Sequence, residues 1–265
     1  MTACSPALAD TATMVRRSLR HARRYPSLTL LIAGIPVVLL LLFVYVFGGT
    51  LGAGLGGVAT GRDAYIAYVV PGILLMTVVG AAQGTAISVA VDMTEGIVAR
   101  FRTMAISRTS VLFGHVAGSV VQTVVAIAVV LAVALLIGFR PTTGPVAWLG
   151  AAGLLALTTV AVSWLSVALG LAAGSVETAS NTPMFLFLLP FLGSGFVPTS
   201  TMPGPVRWFA EHQPFTPIIE TLRGLLFGTP LGDSGVIAVA WCVAISVVGF
   251  AWARRLYERV PTTRP

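Results

Sequence analysis

Lysine is missing from this sequence, and all sixteen basic residues are arginine. A Walker A loop needs a lysine on the β- and γ-phosphates, so the chain holds no standard ATPase site of its own; a lysine Schiff base is excluded as well. Charge of either sign is scarce, at 9% of residues, where a soluble domain carries about a quarter. Cysteine is limited to Cys4 and Cys242, one in the leading tail and one inside an apolar run. The expected state is two free thiols with no disulfide between them.

Catalytic and ion-coupling groups are also sparse. Asp92 and Glu177 fall at the edges of long apolar runs and His115 lies inside one, but no run has a carboxylate in its interior. Ion-coupled carriers need buried ionisable groups, so this absence argues against one, and His115 reads as a helix-packing polar residue. Gly193-Ser194-Gly195 lacks the order of an intramembrane serine nucleophile, and His212 lies outside the runs. No His/Cys/Asp cluster has metal-ligand spacing.

What is present is apolar length. Six stretches carry no Asp, Glu, Lys or Arg: Tyr25–Gly61, Ala64–Val91, Thr109–Phe139, Pro141–Val176, Thr178–Val206 and Ser234–Ala253. About 20 apolar residues in a helix cross a hydrocarbon core of roughly 30 Å, because lipid offers backbone groups no partner outside the helix. With 56% hydrophobic residues and a mean hydropathy of +0.93, the expected fold is all-α and polytopic. The spans are expected at about 28–47, 65–91, 111–138, 146–175, 178–196 and 234–253, with Pro36 kinking the first. They form one membrane domain over residues 28–253, followed by a tail over 254–265. Gly80/Gly84, Gly114/Gly118 and Gly170/Gly174 offer points of close helix approach.

Arginine placement sets the orientation. Arg16, Arg17, Arg20, Arg23 and Arg24 precede the first span; Arg100, Arg102 and Arg108 lie between the second and third; Arg254, Arg255, Arg259 and Arg264 follow the sixth. The alternate side has only Arg62, Arg140, Arg207 and Arg223. Both termini are therefore expected in the cytoplasm, and the net charge of +7 reads as topology and anionic-lipid contact with no nucleic acid involved. Residues 1–27 are not a cleaved signal peptide, because the apolar run after them is too long. They form an amphipathic elbow helix instead, with Met14, Val15, Leu19 and Ala22 opposite the arginines.

Tyr65 and Tyr68 are expected at the outer interface. The segment over 197–230 is too apolar for a free loop. It is expected to dip back as a re-entrant helical hairpin of Pro205–His212 and Ile218–Leu226, with Trp208, Phe209, Leu222 and Leu225 against lipid or helices and Arg207, Glu211 and Arg223 near the headgroups.

Four places carry a family resemblance. They are Tyr45-Val46-Phe47-Gly48-Gly49; Tyr65 to Ile73 with Pro71-Gly72; Asp92 to Arg108 with its D-x-x-x-G-x-x-x-R-F-R pattern; and Phe196-Val197-Pro198, Met202-Pro203, Gln213-Pro214-Phe215-Thr216 and Leu222 to Gly228. In this order the chain resembles the permease subunits of ABC-2 type exporters, especially the daunorubicin-resistance subgroup. Ala105 stands where that family usually has proline. The resemblance implies six helices, a cytoplasmic elbow, a coupling segment over 92–108 and an outer re-entrant pair after the fifth helix. It implies a half-transporter in which a separate ATPase subunit binds ATP and Mg, while this chain binds no cofactor and is no enzyme. A second permease chain, identical or a sister, completes the dimer, and the cargo is an amphipathic drug, antibiotic or lipid-like metabolite exported across the cell membrane.

Carried onto this sequence, the resemblance gives Asp92, Glu95, Gly96, Arg100, Phe101 and Arg102 to the ATPase contact. Gln83, Asn181, Phe185 and Phe187 go to the substrate path. Pro198, Met202, Pro203, Pro214, Thr216, Arg223 and Gly224 go to the outer segment. The alternatives are a passive or ion-coupled transporter, and a membrane enzyme or assembly factor.

Overall fold

The computed structural model describes residues 26–53, 61–95 and 108–259, with side chains from Ile32 and from Val111 onward in the first and third of these. Most of the expected elbow helix, Cys4, Gly96, Arg100, Phe101, Arg102 and the end of the tail lie outside the described residues. In chain order the elements are α1 (Pro26–Leu42), a π-helical turn (Phe43–Phe47), α2 (Gly48–Ala53), α3 (Arg62–Thr94), α4 (Arg108–Leu136) and α5 (Pro145–Ala172). Then come α6 (Val176–Asn181), α7 (Met184–Leu188), a 3-10 turn (Thr199–Thr201), α8 (Gly204–His212), α9 (Phe215–Phe227) and α10 (Ser234–Arg259). Every described element is helical.

Five of these segments are long and apolar enough to cross a membrane: 32–53 and helices α3, α4, α5 and α10. They divide into a centre and a rim. The most apolar window of α3 is 78% buried, whereas that of α10 is 22% buried, and the bare face of α10 carries Val236, Val239, Val243, Val247 and Val248. A rim helix with valines outward is unstable in water and at ease in hydrocarbon, so the division itself marks the lipid-facing elements. Inside, buried threonines fold back on their own helices: Thr77 on the Ile73 carbonyl, Thr85 on Ala81, Thr158 on Leu154 and Thr159 on Leu155. This keeps hydroxyls satisfied with no water present.

The fifth expected span is not one helix. It breaks after Asn181, resumes over Met184–Leu188 and continues as turns to Phe196. Pro183 and Pro190 each lack an N–H and crowd the carbonyl four residues back, which ends a helical ladder. The broken strand of chain nevertheless follows α3 in antiparallel sense. Gln83 Nε2 donates to the Ser180 carbonyl (2.8 Å), Gly72 faces Gly195, and Tyr65 Oη donates to the Phe196 carbonyl (3.4 Å). From Gln83 to Tyr65 that is about 27 Å of helix at 1.5 Å per residue, close to the depth of a hydrocarbon core.

Two glycine contacts set how close these elements come. A Cβ at Gly72 would lie 2.7 Å from the Gly195 carbonyl oxygen, and one at Gly170 would lie 2.6 Å from that of Ala86. Gly170 thus serves the close approach of α5 to α3, while a Cβ at Gly80 or Gly174 would meet nothing within 4 Å.

The hairpin helices fall within a residue or a few of their expected bounds, as Gly204–His212 and Phe215–Phe227. α9 is driven inward by Phe215, Ile218, Ile219, Leu222 and Leu226, all buried. Its start lies beside Leu189, where Gln213 Nε2 donates to the carbonyl (2.8 Å). Its end receives Thr142 and Thr143 from the connection between α4 and α5, on the Phe227 and Leu226 carbonyls. α8 is different: Trp208 and Phe209 are exposed, and Arg207 pairs with Glu211 (2.7 Å) on the surface.

Candidate functional site

The described chemistry of this chain gathers along α3, in three places. At the end near Arg62, α9 brings Arg223 inward. Its Nη2 donates to the Tyr68 carbonyl (3.1 Å) and the Ser194 carbonyl (2.9 Å), and its guanidinium carbon sits 3.8 Å from the Tyr68 ring centroid. One side chain thereby ties three segments, and the cation–π contact adds to the two charge-assisted hydrogen bonds. Burial pushes the Arg223 pKa down, and Tyr68 and Glu220 oppose that. A guanidinium does not lose its proton in a protein, so the charge remains.

This placement refines two expectations. Arg223 is enclosed by protein at the end of α3 near Arg62, and Tyr65 and Tyr68 meet protein groups there. Tyr65 is fully buried, and Tyr68 lies under the guanidinium. The physical reason is shared: burying a guanidinium requires acceptors, and the Pro-broken turn at Ser194 offers a carbonyl that a continuous helix would have spent on itself.

Midway along α3, Gln83 is bound to Ser180, beside the exposed Asn181. Of the two phenylalanines assigned to the path, Phe185 is exposed and Phe187 leans on Phe191 with ring centroids 6.3 Å apart. Phe191 stacks on Phe196 (4.5 Å, interplanar 10°), and Phe43 packs 4.6 Å from Phe196. The π-helical turn at Phe43–Phe47 thus opens on an aromatic cluster held by the broken segment. The structure brings Gln83 and Asn181 to one level and places Phe185 and Phe187 in different surroundings, one bare and one packed.

At the other end of α3, His115 Nε2 lies 3.3 Å from Asp92 Oδ2, with both side chains largely buried. His115 is therefore an ion-pair or hydrogen-bond partner of Asp92 and more than a packing residue. Three residues on, Glu95 is exposed where the helix closes through its N–H on the Val91 carbonyl (2.9 Å).

In the hairpin, Thr216 is buried, with its Oγ1 3.4 Å from the Ser194 N–H. Pro198, Met202 and Pro214 are partly buried and Pro203 is exposed. A Cβ at Gly224 would lie 2.5 Å from Leu231 Cδ2, so this glycine admits the chain that returns toward α10. Sequence reasoning gave no site role to Tyr68, Ser194, Gln213 or Glu220, although Tyr68 and Gln213 lie in the family motifs. Glu220 left a signal as an acid three residues before Arg223 on one helix face.

Comparison with known proteins places the chain's sequence in a family. The ABC-2 type transporter family profile matches residues 10–227. The chain is 31% identical over 244 residues to the daunorubicin resistance ABC transporter permease protein DrrB1 of Streptomyces coeruleorubidus, covering 91% of this chain and 83% of that one. It is 26% identical over 212 residues to the probable doxorubicin resistance ABC transporter permease protein DrrC of Mycobacterium tuberculosis, covering 80% and 76% respectively.

Proposed function

The chain belongs to the ABC-2 type transporter family, and from that premise we propose that it is the membrane-spanning permease subunit of an ATP-driven exporter. ATP and Mg bind a separate ATPase subunit, and a second permease chain, a copy or a sister, completes the conduit. The cargo is an amphipathic drug or antibiotic, of the kind the relatives are named for, or a lipid-like metabolite. The chain is a multi-pass protein of the cell membrane with both termini cytoplasmic, and the broken segment along α3 is its sixth crossing.

The observation that carries this reading is α3 itself. It is continuous from Arg62 to Thr94, about 50 Å at 1.5 Å per residue. Near one end it meets His115 through Asp92 and exposes Glu95, and its far end is fastened by Arg223. Closure of two ATPase subunits pushes on the segment from Asp92 through Glu95, Gly96, Arg100, Phe101 and Arg102. A stiff helix clamped to α9 and the broken segment carries that push across the bilayer. The tilt opens the path beside Gln83, Asn181, Phe185 and Phe187 to alternating sides in turn, while the hairpin with Pro198, Met202, Pro203, Pro214, Thr216 and Gly224 forms the outer plug.

Asp92 with His115 favours a second reading, an ion-coupled carrier, since a buried carboxylate beside an imidazole can exchange a proton. Its place at the end of the bundle, away from the midplane, weighs against that use. Co-expression with an ABC ATPase subunit that co-purifies from the native host decides between them. The expected result is phosphate release and drug-stimulated turnover by the complex in nanodiscs, none by the chain alone, and changed transport after alanine at all four path positions. Transport by the isolated chain driven by a pH gradient overturns the proposal.

A further inference from the structure

A cavity of about 230 Å³ lies where α9 meets the start of α10, lined by Glu220, Arg223, Thr229, Pro230, Leu231 and Ser234. It carries one carboxylate and one guanidinium, which do not form an ion pair with each other. Glu220 Oε2 accepts a hydrogen bond from Ser234 Oγ (3.3 Å), and an ionised carboxylate has about four acceptor sites, so most remain free. Arg223 spends Nη2 on the Tyr68 and Ser194 carbonyls, and its Nε is buried without a hydrogen-bond partner. The Glu220 carboxylate and the Arg223 guanidinium, neither with its full complement of hydrogen bonds, line one small space.

We propose that this cavity binds the headgroup of a zwitterionic, ethanolamine-type phospholipid. The ammonium donates to Glu220 and the phosphate accepts from Arg223. Three features select that class. Ser234 is the first residue of a 26-residue apolar helix, so the cavity opens at the boundary depth where headgroups reside. Positions three apart on a helix hold their Cβ atoms about 5–6 Å from one another, comparable to the ammonium-to-phosphorus span of ethanolamine phosphate. The bare valines Val236, Val239 and Val243 continue away from the cavity down α10 and offer the acyl chains an apolar rail.

Charge bookkeeping excludes the neighbours of that class. A simple anion is repelled by Glu220, and a simple cation by Arg223. A choline headgroup carries no N–H for the carboxylate, and a glycerol headgroup carries no cation. The site distinguishes headgroups by hydrogen bonding as well as by charge.

The test is native mass spectrometry of the full chain, with whatever subunits co-purify, released from mixed micelles containing ethanolamine, choline and glycerol phospholipids of identical acyl chains. The ethanolamine lipid should be retained roughly tenfold over the choline lipid, the worth of one charge-assisted hydrogen bond. Glu220→Gln keeps the shape and the Ser234 contact and should erase that preference, and Leu231→Trp should fill the cavity and lower retention of the ethanolamine lipid. An unfolding profile of Glu220→Gln equal to the parent's shows that the loss is one of binding. Equal retention of the three lipids by the parent chain, a preference unchanged in Glu220→Gln, or best retention of the glycerol lipid overturns the proposal. Displacement of the ethanolamine lipid by free phosphoethanolamine at matched concentration overturns the lipid assignment in favour of a soluble zwitterion.

Discussion

About 36 Å of helix separates Tyr68 from Asp92 on α3 at 1.5 Å per residue, and the two ends hold their charges in opposite ways. At Tyr68 the guanidinium of Arg223 is spent on two main-chain carbonyls and an aromatic face. At Asp92, near the end of α3, a carboxylate faces His115 at 3.3 Å. Backbone acceptors cannot move without moving a whole segment, whereas two side chains can part by changing rotamers. The first end is built as an anchor and the second as an adjustable joint. A lever anchored on main-chain groups at one end and held by side chains at the other fits a subunit pushed from one side of the membrane.

Charge reversal at the adjustable end tests this most severely. Glu95→Arg and Arg100→Glu should each abolish partner-stimulated ATP hydrolysis and export while insertion stays intact, because many arginines still fix the topology. Export by both variants at the parental rate would leave α3 without a lever function.

At the anchor, Arg223→Ala should destabilise the chain by about 3 kcal/mol, the scale of hydrogen bonds to a charged group, seen as a lowered melting temperature in detergent. Arg223→Lys keeps the charge but lacks the planar fork and should recover part of the loss. Unchanged melting in Arg223→Ala would mean that hydrophobic burial of α9 alone fastens the hairpin.

Between the ends, Gly72→Ala should cost about 1–3 kcal/mol by overpacking, since its Cβ meets the Gly195 carbonyl at 2.7 Å. Gly80→Ala meets nothing within 4 Å and should be neutral or stabilising by up to about 1 kcal/mol. Equal melting shifts for the two would show that the broken segment is not held tightly against α3.

The smallest effect belongs to the joint. His115→Gln should change stability by about 1 kcal/mol or less, because the amide can still donate a hydrogen bond to Asp92, and should leave the melting penalty of Arg223→Ala unaltered because the sites are far apart. A loss as large as that of Arg223→Ala would remove the contrast between the ends.

Much of this was legible before any coordinates. The bounds of α3, α4 and α5 follow from charge-free runs to within about three residues; α10 starts where expected but continues through Arg254 and Arg255 to Arg259, into the expected tail. α8 and α9 lie near the ranges read from prolines and apolar clusters. The family was legible too, from motifs spread over most of the chain. The fifth segment was misread as one helix because a hydropathy average counts Pro183 and Pro190 as tolerable interruptions, and membrane helices do tolerate proline where neighbours resupply the bonds. Pro36 and Pro71 sit inside continuous helices here. Which prolines break a helix depends on whether a neighbour can take up the freed carbonyls.

The sequence by itself determined that the chain resides in lipid and that its segments are helical, because both follow from sums over neighbouring residues. Apolar length sets the cost of leaving the bilayer, and the missing water forces each segment to satisfy its own backbone. Only the tertiary structure decided that α3 and α5 form the centre and that Arg223 ties α9 to α3 and the broken segment. The acceptors that hold Arg223 are the carbonyls of Tyr68 and Ser194, and a carbonyl is the same group in every residue. No side-chain pattern can announce it, and only the fold brings it within reach of the guanidinium.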